Sequence, residues 1–175
     1  MNAVETLISP PPLIVAPEHV PVFQVRLSRI QGQGVFARSR ILKGTRIIEY
    51  TGERITHREA DARYDEEAME HPHTVLFTVD KKTVIDAGVG GNEARFINHS
   101  CAPNCEAVNE DGHIFIDALC DILPGEELTY DYHLEYQGRY RAEWKERYAC
   151  RCGCPSCRGT LLLPKRRRSQ RRRKR

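Results

Sequence analysis

Apolar residues recur along the chain in short runs, many at a spacing of two, the period of a strand with one buried face. In "VFQVRL" (residues 22–27) Phe23, Val25 and Leu27 alternate with Gln24 and Arg26, and the turn-prone "QGQG" follows. "RIIEYT" (residues 46–51), entered through Lys43-Gly44, predicts a second strand. "TVLFTVDKKTVIDA" (residues 74–87) predicts a hairpin turning near residues 80–82. "EAVNEDGHIFIDAL" (residues 106–119) predicts another, with Asp111-Gly112 as its turn. A further strand, "EELTYDY" (residues 126–132), starts beyond the Pro124-Gly125 turn.

Helical signals are fewer. Thr56 opens "THREADARYDEEAMEH" with Glu59 three residues on, a capping box that predicts a helix ending near His71-Pro72. "RYRAEWKERY" (residues 139–148) predicts a second helix, around Trp144. Many short strands, few small helices and no alternating βαβ pattern predict a mainly β, α+β fold. No internal repeat is visible.

The length of 175 residues suits one domain with a core plus tails. No run of about 18 apolar residues occurs, so no membrane span and no membrane partner are expected. Residues 1–21 lack a basic leader region and are broken by Pro10, Pro11 and Pro12, which predicts a flexible N-terminal arm rather than a signal peptide.

Charge divides the chain. The last eleven residues, "KRRRSQRRRKR", hold nine of the 27 Lys and Arg and no acid, leaving 18 basic against 24 acidic side chains before them. An acidic body favours a basic, lysine-containing protein or peptide as substrate. The tail (residues 164–175) is expected to stay disordered through self-repulsion, and its charge suits nucleic acid or an import receptor.

All seven cysteines lie beyond residue 100, four of them in "ACRCGCPSCRG". Without an export signal a reducing compartment is expected, where crowded thiols point to metal before disulfides. Cys150, Cys152 and Cys157 are spaced to place three thiolates around one tetrahedral zinc. Cys154, Cys101 and Cys105 are the candidates for a fourth. "ARFINHSCAPNCEA" (residues 94–107) also sets His99 two residues from Cys101, which leaves open a cysteine nucleophile with a histidine base, or ligation by His99 itself.

The segments "GNEARFINHSCAPNC", "GEELTYDY" and "CRCGCPSCRG", in that order, resemble the SET-domain protein lysine methyltransferases with a post-SET zinc segment. Upstream, "GQGVFA" and "EYTGE" fall where that family has its glycine turn and its Tyr-x-Gly-Glu strand. The compact size is closer to stand-alone bacterial members than to large chromatin enzymes. The resemblance implies small β-sheets with a knot-like threading of the stretch around Asn98 and His99. It divides the chain into a SET domain (residues 22–133) and a post-SET segment (residues 134–163). It also implies methyl transfer from S-adenosylmethionine to the ε-amine of a lysine in a histone or histone-like protein.

Roles follow from the same resemblance. Tyr132 lies beside the methyl-transfer centre, Tyr130 limits the methylation state to mono- or dimethylation, and Tyr50 forms a lesser wall. Gln33, Gly34 and Val35 approach the cofactor through their backbone, Asn98 through its side chain and His99 mainly through its backbone, with Arg95 supporting the loop. Cys101 joins Cys150, Cys152 and Cys157 at a structural zinc, leaving Cys105 and Cys154 as extra thiols. Expected locations are the cytoplasm or nucleoid of a bacterium, or alternatively chromatin in a nucleus. The rival reading is a catalytically idle, zinc-stapled protein that binds chromatin or nucleic acid.

Overall fold

The computed structural model describes residues 21–64, 75–134 and 146–163. Strands dominate them. The chain runs β1 (Phe23–Leu27), β2 (Gln33–Ala37), β3 (Arg46–Glu49), β4 (Glu53–Thr56), α1 (His57–Arg63), β5 (Leu76–Thr78) and β6 (Thr83–Asp86). A 3-10 turn (Glu93–Phe96) leads to β7 (Asn98–His99), β8 (Cys105–Glu110), β9 (His113–Ala118) and β10 (Thr129–Tyr130).

The strands form four small sheets, ordered β1-β2, β3-β9-β8, β4-β6-β5 and β7-β10. Strand β9 shows why the alternation in sequence is decisive. Ile114, Ile116 and Ala118 point into the core. On its other face the Arg46 guanidinium sits 4.0 Å from the centre of the Phe115 ring and bonds to Asp117 and Glu110. Burying one face and hydrogen-bonding the other fixes the register, since a one-residue slip would exchange them. The β8–β9 turn is as expected: Asp111 (φ 51°) and Gly112 (φ 85°) both adopt left-handed backbone, and the Asn109 side chain accepts the Gly112 N–H at 3.0 Å.

Helix α1 begins as its sequence predicts. The Thr56 hydroxyl accepts the Glu59 N–H, and the Glu59 carboxylate accepts the Thr56 N–H at 2.8 Å. It ends at Arg63, well before His71-Pro72, because tertiary contacts take over there. Arg63 bonds at 2.5 Å, and the next residue, Tyr64, at 3.0 Å, to the buried Asp86 carboxylate. Residues 65–71 lie outside the described part, as does most of the expected helix around Trp144. The strand expected over residues 126–132 is paired as β10 only at Thr129–Tyr130, while β4 and β7 were not foreseen.

The main core gathers Val35, Ile41, Tyr50, Ile85, Ile97, Ile114, Ile116, Ile122, Leu128 and Tyr130. A separate small core, Tyr148, Leu161 and Leu162, organises residues 146–163 and takes in Leu134 and Cys150. This segment docks by its backbone, through the Leu163 N–H to the Leu134 carbonyl at 2.9 Å.

Ile116 lies on the central strand and is fully buried. Ile116→Ala should lower the unfolding free energy by about 2–5 kcal/mol through lost burial and the cavity left behind. Leu42→Ala, at a residue 57% exposed, should change it by less than about 0.5 kcal/mol. Urea denaturation of the two variants checks the contrast.

Candidate active site and thiol cluster

The site is built where two distant stretches meet. Strand β7 pairs in parallel with β10, Asn98 opposite Thr129 and His99 opposite Tyr130. The pairing continues through the Ser100 N–H to the Tyr130 carbonyl at 3.2 Å. Asn104 reinforces it: its amide donates to the Glu127 carbonyl at 2.9 Å and its side-chain oxygen accepts the Thr129 N–H at 2.8 Å. Further back, the Leu128 N–H reaches the Val35 carbonyl at 2.8 Å, so residues 125–128 also run against β2.

Around this junction the aromatic residues converge. The rings of Tyr130 and Tyr132 are 4.9 Å apart, Phe77 lies 6.2 Å from Tyr130, and Tyr50 lies 5.3 Å from Phe77. Tyr50 and Tyr130 are 1% and 5% exposed. Burial raises the pKa of both phenols, with neighbouring phenols adding to it and, at Tyr50, the Asp86 carboxylate as well, so they stay protonated at neutral pH. The Tyr50 hydroxyl donates to the Val75 carbonyl at 2.8 Å, and the Tyr132 hydroxyl to the Ile97 carbonyl at 2.9 Å. Phe77 completes the group, and its place in a predicted hairpin gave no sign of that role.

Asn98 faces the glycine turn. Its amide donates to the carbonyls of Gln31 (3.2 Å) and Gln33 (2.9 Å) and to the Glu127 carboxylate (2.8 Å). Glu127 also accepts the Ser28 hydroxyl at 2.7 Å. A side chain at Gly34 would collide with the same carboxylate, so this glycine admits Glu127. Val35 is buried in the core. Arg95 bonds to the Ala87 carbonyl at 3.2 Å and stacks on Phe96, bracing the loop that leads into β7. Gln31 and Glu127 were not singled out in the sequence, although Glu127 stands inside the "GEELTYDY" motif.

His99 connects this region to the thiols. Its Nδ1 accepts the Tyr132 N–H at 3.2 Å, so the ring proton sits on Nε2, which lies 3.3 Å from the Cys101 Sγ. Burial lowers its pKa to about 4, against the opposing pull of Asp131, and the ring is neutral at neutral pH. This tautomer argues against a hydrolase. A cysteine–histidine nucleophile needs the ring nitrogen that faces the sulfur bare, to take the thiol proton, with the other N–H held by a third group. Here Nδ1 is an acceptor and Nε2 carries the proton. Ser100 is occupied locally, its hydroxyl accepting the Ala102 N–H at 3.1 Å.

The sulfurs of Cys101, Cys150, Cys152 and Cys157 all lie within 4.8 Å of one another, with Cys101 and Cys150 3.7 Å apart. Four thiolates at about 2.3 Å from a tetrahedral zinc would stand about 3.8 Å from each other. Backbone N–H groups point at the sulfurs, from Arg158 to Cys101 and from Gly159 to Cys157 at 3.4 Å each, as suits thiolate ligands. Cys154 stands beside the group, its sulfur 3.5 Å from Cys152, and Cys105 is buried apart from it. Unforeseen from the sequence is a bidentate ion pair from Arg158 to Asp131, with N–O distances of 2.5 and 2.9 Å.

Comparison with known proteins agrees with this geometry. The model described as "SET domain" matches residues 32–133. Human "Histone-lysine N-methyltransferase, H3 lysine-36 specific" is 42% identical over 137 residues, which cover 75% of this chain and 5% of that protein. The H3 lysine-4 specific enzyme of Schizosaccharomyces pombe is 45% identical over 139 residues, 77% of this chain and 14% of the relative. Its Saccharomyces cerevisiae counterpart is 43% identical over 140 residues, 77% and 12%. The chain thus spans at most about a seventh of the length of these relatives. With more than half of its residues matched by the family model, and with the paired β7 and β10 strands inside that match, the chain belongs to the SET domain family.

Proposed function

We propose that the chain is a protein-lysine methyltransferase that uses S-adenosylmethionine and acts on a histone or a similarly basic protein. The observation that carries this reading is the cluster of Tyr50, Phe77, Tyr130 and Tyr132 beside the Asn98–His99 junction. The relatives are named for histone lysines, which supports the substrate class and a location on chromatin. The domain limits that fit this reading are residues 22–133 and 134–163, with an N-terminal arm before them and a basic tail after them.

The residues present fit the cofactor. The backbone carbonyls of Gln31 and Gln33 converge beside Asn98, and carbonyl oxygens, each with two lone pairs, are the acceptors that a ligand with an ammonium and a sulfonium requires. When bound, S-adenosylmethionine supplies an activated methyl group, so no covalent enzyme intermediate is needed. The task of the chain is to orient a lysine amine and present it uncharged. Free lysine titrates at about 10.4, and an aromatic, water-poor channel favours its neutral form. Tyr50 and Tyr130 are protonated phenols, neutral walls with no charge to hold the ammonium. The Ile97 carbonyl fixes the phenol of Tyr132, the residue whose loss should cost the most. Tyr130 narrows the channel, which limits the product to mono- or dimethyl-lysine.

Cys101, Cys150, Cys152 and Cys157 would hold one structural zinc, with four thiolates and no open position for water. The metal would pin residues 146–163 next to Tyr132. The basic tail would give the enzyme a sequence-independent hold on nucleic acid.

Three outcomes follow. S-adenosylmethionine at about a hundred times its dissociation constant should stabilise the folded chain by about 2.7 kcal/mol, and Asn98→Ala should abolish most of the melting shift. An unshifted wild-type melt would favour the idle, binding-only alternative. Removing metal with a chelator should lower the melting temperature and the methylation rate together, and zinc should restore both. Tyr130→Phe should move the product distribution towards trimethyl-lysine, read by mass spectrometry. Efficient trimethylation by the wild type would contradict the assigned role of Tyr130.

A further inference from the structure

The ion pair between Arg158 and Asp131 lies at neither the aromatic cluster nor the thiols but joins the two. Asp131 sits in the chain between Tyr130 and Tyr132. Its carboxylate accepts one N–H from each terminal guanidinium nitrogen of Arg158 and also accepts the His133 N–H at 3.1 Å. The fork geometry matters, because two parallel bonds define an orientation that a single bond does not. The backbone N–H of Arg158 meanwhile points at the Cys101 sulfur.

Followed residue by residue, these contacts close a ring. Tyr132 N–H bonds to His99 Nδ1, and His99 Nε2 faces Cys101 Sγ. Cys101 Sγ receives the Arg158 N–H, and the Arg158 guanidinium holds Asp131, the residue covalently before Tyr132. Asp131 and Arg158 are partly buried, with side chains 14% and 26% exposed. Such a pair is more rigid than an exposed one and more costly to break from one side.

We propose that Arg158 is a positioning residue, acting through Asp131 to hold the backbone of Tyr132 in register, so that docking of the thiol-bearing segment sets the geometry of methyl transfer. This rests on the methyltransferase reading given above. Arg158 touches no reacting atom. Its effect reaches Tyr132 through the carboxylate and the intervening peptide bond.

The test uses the full chain with its metal and compares wild type, Arg158→Ala, Arg158→Lys, Asp131→Asn and the Arg158→Ala/Asp131→Asn pair. Methylation of a histone H3 peptide, zinc content and amide hydrogen exchange at Tyr132 are measured for each. The expected result is a fall in kcat of tenfold or more in Arg158→Ala with the peptide KM changed by less than threefold. Arg158→Lys, which keeps the charge but loses the fork, should recover only part of that rate. Zinc should stay stoichiometric, exchange at Tyr132 should quicken, and the double variant should be no slower than the worse single one. Unchanged kcat and exchange in variants of an active wild type would overturn the proposal, as would additive losses. Zinc loss in both Arg158 variants would overturn it too, since Arg158 would then serve only to fold the metal segment. A wild type with no activity would instead sink the methyltransferase reading, and Tyr132 exchange would still decide whether the clasp holds that residue.

Discussion

Everything in this site depends on a parallel pairing only two residues long, Asn98–His99 against Thr129–Tyr130. A contact that short is marginal alone. It persists because its surroundings determine it: Asn104 bonds Glu127 and Thr129 at the entry to β10, and Leu128 is tied to Val35. The pairing brings the glycine turn, the aromatic cluster and the thiols to one place. Each is supplied by a different stretch of chain.

The chemistry of the junction is set more by burial than by charge. Tyr50 and Tyr130 are phenols kept neutral by their environment, and His99 is an imidazole kept neutral by its own. A site lined this way is poor at taking protons and good at orienting an uncharged nucleophile. It suits transfer of an already activated group, and it does not suit hydrolysis by Cys101. The carboxylates that are present do other work: Glu127 braces Asn98 and Ser28, and Asp131 is engaged by Arg158.

Much of the fold was legible where local physics decides it. Asp111-Gly112 predicted a turn with two left-handed residues, Thr56 with Glu59 predicted a helix start, and the alternation in β9 predicted its buried face. Legibility failed where partners are remote in sequence. Strands β4 and β7 are too short to carry a period. Helix α1 stops early because Arg63 and Tyr64 turn to Asp86, 23 and 22 residues away. In the site, the gathering of Cys101 with Cys150, Cys152 and Cys157 was foreseen through family resemblance, whereas spacing alone had left the fourth thiol open. Phe77, Glu127 and the Asp131–Arg158 pair were not foreseen. The last two stand inside recognised motifs, but no local pattern says which partner a charged residue will meet.

In the proposed function the aromatic cluster delivers a neutral lysine for methyl transfer, with Tyr132 at its heart. Mass spectrometry of histone H3 incubated with isotopically labelled S-adenosylmethionine tests it most directly. Label on lysine is expected with the wild-type chain, and a loss on the order of a hundredfold or more with Tyr132→Phe, the scale of removing one preorganised hydrogen-bonding group. Equal labelling by both proteins, while the variant still binds the cofactor, would contradict it.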